Sequence, residues 1–263
     1  MDNSQPSCSS STSSNGAQNG EMKKLSVLCL HGYRQNAKTF NSKTGSFRKC
    51  VKKYADFVYT TAPHKAPPLN EPEGGSQEGG DDDGEGQRSW WFNKSDGTFK
   101  GTNQDGPAYG FEESLKHVEK VWREEGPFQG LLGFSQGACF AGLICLLSAK
   151  SMTSIKPQFV ILAAGFKSGS LSHKNIYEET PTIPSLHIFG ESDNIIPGPM
   201  SEALAQHFSD PLILTHPGGH FLPASAPQKE VYVNFFQDQL EEYLENETLK
   251  EAEENEASEV QSK

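Results

Sequence analysis

Residues 130–149 read GLLGFSQGACFAGLICLLSA, and in their midst Ser135 stands between Gly133 and Gly137. The five residues Gly133-Phe134-Ser135-Gln136-Gly137 fit G-x-S-x-G, the pattern in which a sharp strand-to-helix turn lifts a serine hydroxyl clear of a sheet. Side chains at the two glycine positions would collide in so tight a turn. An apolar run precedes the motif and a long apolar helix comes after it, so the first free amides of that helix and its positive dipole end face whatever sits beside Ser135. A developing oxyanion suits such a place. A dinucleotide reading fails, because Gly130, Gly133 and Gly137 do not space as G-x-G-x-x-G. A hydroxyl attacks only when a base takes its proton, so the pattern demands a later acid and then a histidine at strand ends.

Two segments supply them. Ser185-Leu-His-Ile-Phe189 opens into Gly190-Glu-Ser-Asp193, and Leu212-Ile-Leu-Thr215 opens into His216-Pro-Gly-Gly-His220. Asp193 is favoured because it lies within its turn, with Glu191 as competitor. His220 is favoured over His216 because Gly218-Gly219 lets the backbone swing back over the sheet, whereas Pro217 stiffens the chain just after His216. His64, His117, His173, His187 and His207 read as surface or packing groups. Two main-chain donors should hold the negative charge: the amide of Gln136, after the nucleophile, and one from the loop His31-Gly32-Tyr33-Arg34-Gln35, for which Tyr33 is the choice. His31 is then structural or orienting, and Arg34 either meets an acidic substrate group or pairs on the surface.

Such groups need a sheet to carry them. Short apolar runs predict strands over 25–30, 56–61, 129–132, 158–162, 185–189 and 212–215. Helical spacing falls between them: two pieces around Gly45, then 111–124, 135–149, 200–208 and 226–244. This alternation implies an α/β protein, a parallel sheet of about six strands with helices on both faces, and a site beyond the carboxyl ends of the strands. No internal repeat is present. The stretch 66–110, rich in Gly, Pro and Asp, is far longer than an ordinary crossover loop and reads as a lid or a disordered insert. Its Trp90-Trp91-Phe92 triplet either folds over the site as substrate-binding aromatics or plugs the domain edge.

Composition sets the outer bounds. The chain has 263 residues, 34% of them hydrophobic, enough for a sizeable core. The Ser-rich stretch 1–21 is almost without apolar residues and is expected to be a disordered tail, with no apolar stretch that would make it a secretory signal. Residues 22–244 form one expected domain, and the acidic stretch 245–263 a second disordered tail. The formal charge of −11 is unevenly spread: residues 71–86 and 241–263 each contribute −7, which leaves a body of about +3. No basic stripe for nucleic acid results. The acid runs read as solvated surface. Cys8, Cys29, Cys50, Cys139 and Cys145 are odd in number and show no zinc spacing, so they read as reduced thiols of an intracellular protein. No run is long and apolar enough to predict a membrane span.

LCLHGYRQN, TAPH, the WWF triplet, GPFQGLLGFSQGA, LHIFGESDNIIP and HPGGHFLP, taken together and in this order, resemble the FSH family of serine hydrolases, small eukaryotic proteins of the α/β-hydrolase fold, and in particular its ovarian-cancer-associated esterase branch. The resemblance runs from about Lys24 to Leu240. It implies a triad of Ser135, Asp193 and His220 and a carboxylesterase of small-molecule esters, with longer acyl or alkyl chains as substrates. The run 71–86 departs from the family pattern and leaves substrate size open. The resulting expectations are a metal-free enzyme without cofactor, located in the cytoplasm with the nucleus also open, and of no stated oligomeric state. The competing readings are an acyl thioesterase and a non-catalytic ligand-binding protein on the same fold.

Overall fold

The computed structural model describes residues 23–68 and 86–261. In chain order its first elements are β1 (Leu25–Leu30), α1 (Ala37–Lys43), α2 (Gly45–Val51), β2 (Ala55–Thr60), β3 (His64–Lys65), β4 (Arg88–Ser89) and α3 (Phe111–Glu125). After these come β5 (Gly130–Phe134), α4 (Gln136–Ala149), β6 (Phe159–Ala163), a 3-10 helix (Leu171–Glu178), β7 (Ser185–Gly190), α5 (Gly198–Ala205), β8 (Leu212–His216) and α6 (Ala226–Gln261).

Six strands pair in parallel in the order β2-β1-β5-β6-β7-β8. The chain steps from β1 outward to β2, then crosses back so that β5 pairs on the other side of β1. Connections from β1 and β5 thus leave in opposite directions, and the crevice between their carboxyl ends is where such a sheet offers room for a site. His31 and Ser135 come directly after these two strands.

Side-chain alternation explains why the strands are apolar throughout. In β1, Val27 and Cys29 join the core under α1, α2 and α6, while Leu28 and Leu30 join the core under α3 and α4. The same two-residue period splits Phe159 and Ile161 from Val160 and Leu162 in β6. Helix α4 is buried on every side from Gln136 to Leu147, which accounts for a sequence without charge. The break near Gly45 is also present: Asn36 Oδ1 caps α1 by accepting from the Thr39 amide at 2.9 Å, and α2 starts afresh after Thr44.

Two regions differ from the sequence expectation. In place of a disordered tail over 245–263, α6 continues through the described residues to Gln261. Tyr232, Phe235, Phe236 and Tyr243 anchor its first half in the core, and beyond Leu244 the helix runs into solvent on Glu, Ala, Lys and Leu, residues of high helix propensity that require no core to favour the helix. Lys23 meets Glu247 at 2.8 Å, tying the stretch just before β1 to this helix. The long insert is the second region. Its described part is packed, with β3 antiparallel to β4 and Phe92 bridged to Tyr109. The Ser-rich stretch 1–21 and the acidic run 71–85 lie outside the described residues.

Candidate active site

The site starts at the turn between β5 and α4. Ser135 adopts φ 53° and ψ −115°, a conformation that an L residue holds only under constraint, at a cost of about 1–3 kcal/mol. The constraint is close packing. A Cβ on Gly137 would stand 2.1 Å from the Leu30 carbonyl oxygen and 2.5 Å from that of His31, and one on Gly133 would stand 2.4 Å from the carbonyl oxygen of Gly137. Only bare backbone lets α4 begin this close to the end of β1. The Ser135 amide donates to the Ala163 carbonyl at 2.8 Å, and its side chain helps line an open depression of about 390 Å³. Among the described residues its hydroxyl makes no hydrogen bond.

The loops after β7 and β8 are zipped together. Glu191 N–H donates to the His216 carbonyl at 2.8 Å and Ser192 N–H to that of Gly218 at 3.1 Å. This arrangement brings Asp193 under His220, whose Nδ1 is 2.7 Å from Asp193 Oδ2. The other carboxylate oxygen accepts from the amides of Ile195 at 2.8 Å and Ile196 at 2.9 Å. With three donors the buried carboxylate is satisfied. An ionised carboxylate only accepts, so the proton of a neutral His220 sits on Nδ1 and the lone pair of Nε2 is free to act as a base. Glu191 is exposed and takes no such bond. His216 is buried with Nε2 unpartnered, packed 4.9 Å from the Phe221 ring, and its pKa is lowered by burial against the pull of Asp193 and Glu191.

The loop after β1 lies opposite. His31 is fully buried; its Nδ1–H donates to the Gly32 carbonyl at 2.8 Å and Nε2 accepts from the Ala62 amide at 3.0 Å. Burial brings its pKa down to about 4, so the ring is a neutral brace between the loops after β1 and β2. The Gly32 amide is engaged by Gln35 Oε1 at 3.2 Å and the Arg34 amide by the Arg88 carbonyl at 2.8 Å. The Tyr33 amide, between them, makes no hydrogen bond among the described residues. The first turn of α4 carries no side-chain cap either. Arg34 Nη1 donates to Gln87 Oε1 at 2.6 Å.

The aromatic triplet corrects the expectation placed on it. Trp90 and Trp91 are fully buried and pack on Phe140, at 5.1 and 6.0 Å between ring centroids, and neither lines the depression at Ser135. Phe92 is half-buried beside His64. The side chain of Gln136 causes this: its Oε1 accepts from the Trp90 amide at 3.0 Å, and its Nε2 donates to the Trp91 carbonyl at 2.8 Å. The two tryptophans are thereby held in the core. The depression is lined instead by Tyr33, Phe99, Lys100, Gly101, Thr102, Asn194, Ile195 and Ile196. Of these only Tyr33 is among the sequence candidates, although two consecutive isoleucines just after Asp193 are a readable signal, since Ile195 stays 61% exposed. A second depression of about 390 Å³ opens beside His220, between Phe40, Phe134, Phe221 and Leu222.

Among the described residues no helix is long and apolar enough to cross a membrane, and no cluster of three His, Cys, Asp or Glu could hold a metal. The family profile described as serine hydrolase (FSH1) matches residues 21–232. A protein named as an esterase in Aedes aegypti is 61% identical over 229 residues, covering 87% of this chain and 81% of its own. The Homo sapiens esterase OVCA2 is 40% identical over 215 residues, covering 80% of this chain and 95% of its own. In fold the chain is similar to acyl-protein thioesterase 2 of Zea mays, with a TM-score of 0.62 at 17% identity over 84% of this chain and 96% of that one. The profile spans every strand of an α/β-hydrolase sheet with its serine elbow in place, and the chain belongs to the FSH1 family of serine hydrolases.

Proposed function

We propose that this serine hydrolase is a carboxylesterase acting through an acyl-enzyme on Ser135. His220 Nε2 takes the hydroxyl proton as Ser135 attacks the ester carbonyl, Asp193 holds the imidazole in the required tautomer, and the amides of Gln136 and Tyr33 receive the oxyanion. His220 then gives the proton to the departing alkoxide, and water repeats the cycle to release the acid. The observation that carries this reading is the 2.7 Å bond from His220 Nδ1 to a carboxylate that two further amides satisfy. The Ser135 to His220 bond is made when substrate settles the hydroxyl rotamer, as is common for catalytic contacts that are loose without ligand.

Since His220 protonates the leaving group, the depression beside it takes the alcohol and the one at Ser135 takes the acyl chain. Tyr33, Phe99, Ile195 and Ile196 give the acyl side an apolar wall, which supports medium to long chains at about 0.8 kcal/mol per buried methylene. The same machinery serves a thioester, and paired oxygen and sulfur esters of one acid separate the two. Two measurements test the proposal: labelling by a serine-reactive fluorophosphonate, and kcat/KM along a series of acyl lengths. Ser135→Ala should lose the label and at least about 10³-fold in turnover, and kcat/KM should climb with acyl length in the wild type. A Ser135→Ala variant that still turns over ester would put the nucleophile elsewhere.

A further inference from the structure

The Ser89-Trp90-Trp91 segment lines neither depression, yet it bonds the backbone of the loop that carries one proposed oxyanion donor and the side chain of the residue whose amide is the other. Trp90 N–H donates to Gln136 Oε1 at 3.0 Å, and its indole Nε1–H donates to the His31 carbonyl at 2.8 Å. Gln136 Nε2 returns bonds to the Trp91 carbonyl at 2.8 Å and to Ser89 Oγ at 3.1 Å. The indole is fully buried, between the His31 ring at 5.0 Å and the Phe140 ring at 5.1 Å. Just upstream, Arg88 exchanges backbone hydrogen bonds with Arg34 and Gln35, at 2.8 and 3.0 Å. One short segment of the insert therefore grips the loop after β1 and the first residue of α4 together.

We infer that Trp90 is a positioning residue of the oxyanion hole: its indole N–H holds the backbone carbonyl of His31, which leads into the Tyr33 amide, its main-chain N–H holds the side chain of Gln136, and together they fix the spacing between the two residues. This rests on the reading that those two amides hold the oxyanion. Gly137 permits β1 and α4 to approach this closely, since a Cβ there would stand 2.5 Å from the His31 oxygen. Contact alone does not prevent the two from sliding past each other. A residue bonded to both does. Oxyanion donors act only when aimed at the position the charged oxygen will occupy, and displacement on the order of 1 Å can cost about 10²-fold in rate.

The bulk of Trp90 and its N–H groups have separable roles, and the test exploits that. Replacing Trp90 by L-3-benzothienylalanine keeps the ring shape and deletes the indole donor; Trp90→Phe removes the donor and some volume. For both, kcat on a short ester should fall about tenfold with KM within about twofold. The Ki of a trifluoromethyl ketone, which forms a tetrahedral oxyanion adduct on the serine, should rise by the same factor. Thermal midpoint should fall for Trp90→Phe and stay near wild type for the isostere. A wild-type kcat and ketone Ki in the isostere overturns the inference, and so does a loss shared by both variants that tracks only their fraction folded. Ketone inhibition of the wild type that survives Ser135→Ala would instead overturn the proposed nucleophile, so the two failures are told apart.

Discussion

His216 and His220 stand four residues apart at the end of β8, and both approach Asp193, but their surroundings suit opposite tasks. His220 is one-fifth exposed at its side chain, joined to Asp193 Oδ2, with its ring 4.9 Å from Phe134, the residue before the serine. His216 is buried, and burial lowers its pKa. An exchangeable proton needs a route to substrate, which the depression beside His220 offers and the packing around His216 closes. His220→Ala is therefore expected to lose about 10⁴-fold in kcat, measured on ester with fluorophosphonate labelling as a second readout. His216→Ala should keep kcat within about threefold and lower only the thermal midpoint, as removal of a buried ring does. The reverse ranking of the two would reassign the base.

At the scale of elements, α4 gives a contrast between two glycines on one helix. Gly137→Ala drives a methyl into the Leu30 and His31 carbonyls at 2.1 and 2.5 Å, so the end of β1 must shift and with it the Tyr33 amide. The folded fraction of that variant should lose about 100-fold or more in kcat/KM. At Gly142 the nearest atom to an added methyl is Leu204 Cδ1 at 3.4 Å, ordinary contact, and alanine is the better helix former by about 1 kcal/mol. Gly142→Ala should match or exceed the wild-type thermal midpoint at full activity; a loss of activity there would mean that α4 tolerates no change anywhere. These elements are legible in the sequence because their cause is local. The continuous apolar run 25–30 and the G-x-S-x-G turn are read from neighbouring residues, and β1 spans Leu25–Leu30 as expected. Trp90 and Trp91 are not legible in the same way, because their burial depends on Gln136, which is 46 residues from Trp90. Nor is the apolar wall of Phe99 and Ile196, which only the fold brings together. The length of α6 escapes a reading that asks whether 245–263 can bury a core, because a helix rooted in Tyr232 and Phe236 needs none further along.

Over the whole molecule the charge and the buried histidines act separately. The two acidic stretches hold −14 of a formal −11, so the body is slightly basic and the acid runs govern its behaviour in solution more than its stability. Its response to acid comes from inside. His31, His173 and His187 are buried in three different places, and burial lowers each to about 4 from 6.5. His173 bonds Ser168 Oγ at 2.8 Å and His187 approaches Ser185 Oγ at 3.2 Å, and neither has a carboxylate to repay a proton. In the unfolded chain these rings take up protons as the pH falls through 6.5, whereas in the folded chain they resist until about 4. The unfolded state binds more protons between those limits, so the contribution of the three rings is level just above about pH 6.5 and stability declines as the pH drops toward about 4. The exposed carboxylates Asp96 and Glu247, whose pKa values their hydrogen-bond partners lower, stay ionised down to the ordinary carboxylate range. The urea midpoint should therefore fall clearly between about pH 7 and about pH 5, before carboxylate protonation contributes. His187→Gln, which keeps a polar group near Ser185 without a basic nitrogen, should reduce that fall. An unchanged midpoint across the interval would mean that the three rings accept protons in place, and that the cavities around them are more open to water than their packing indicates.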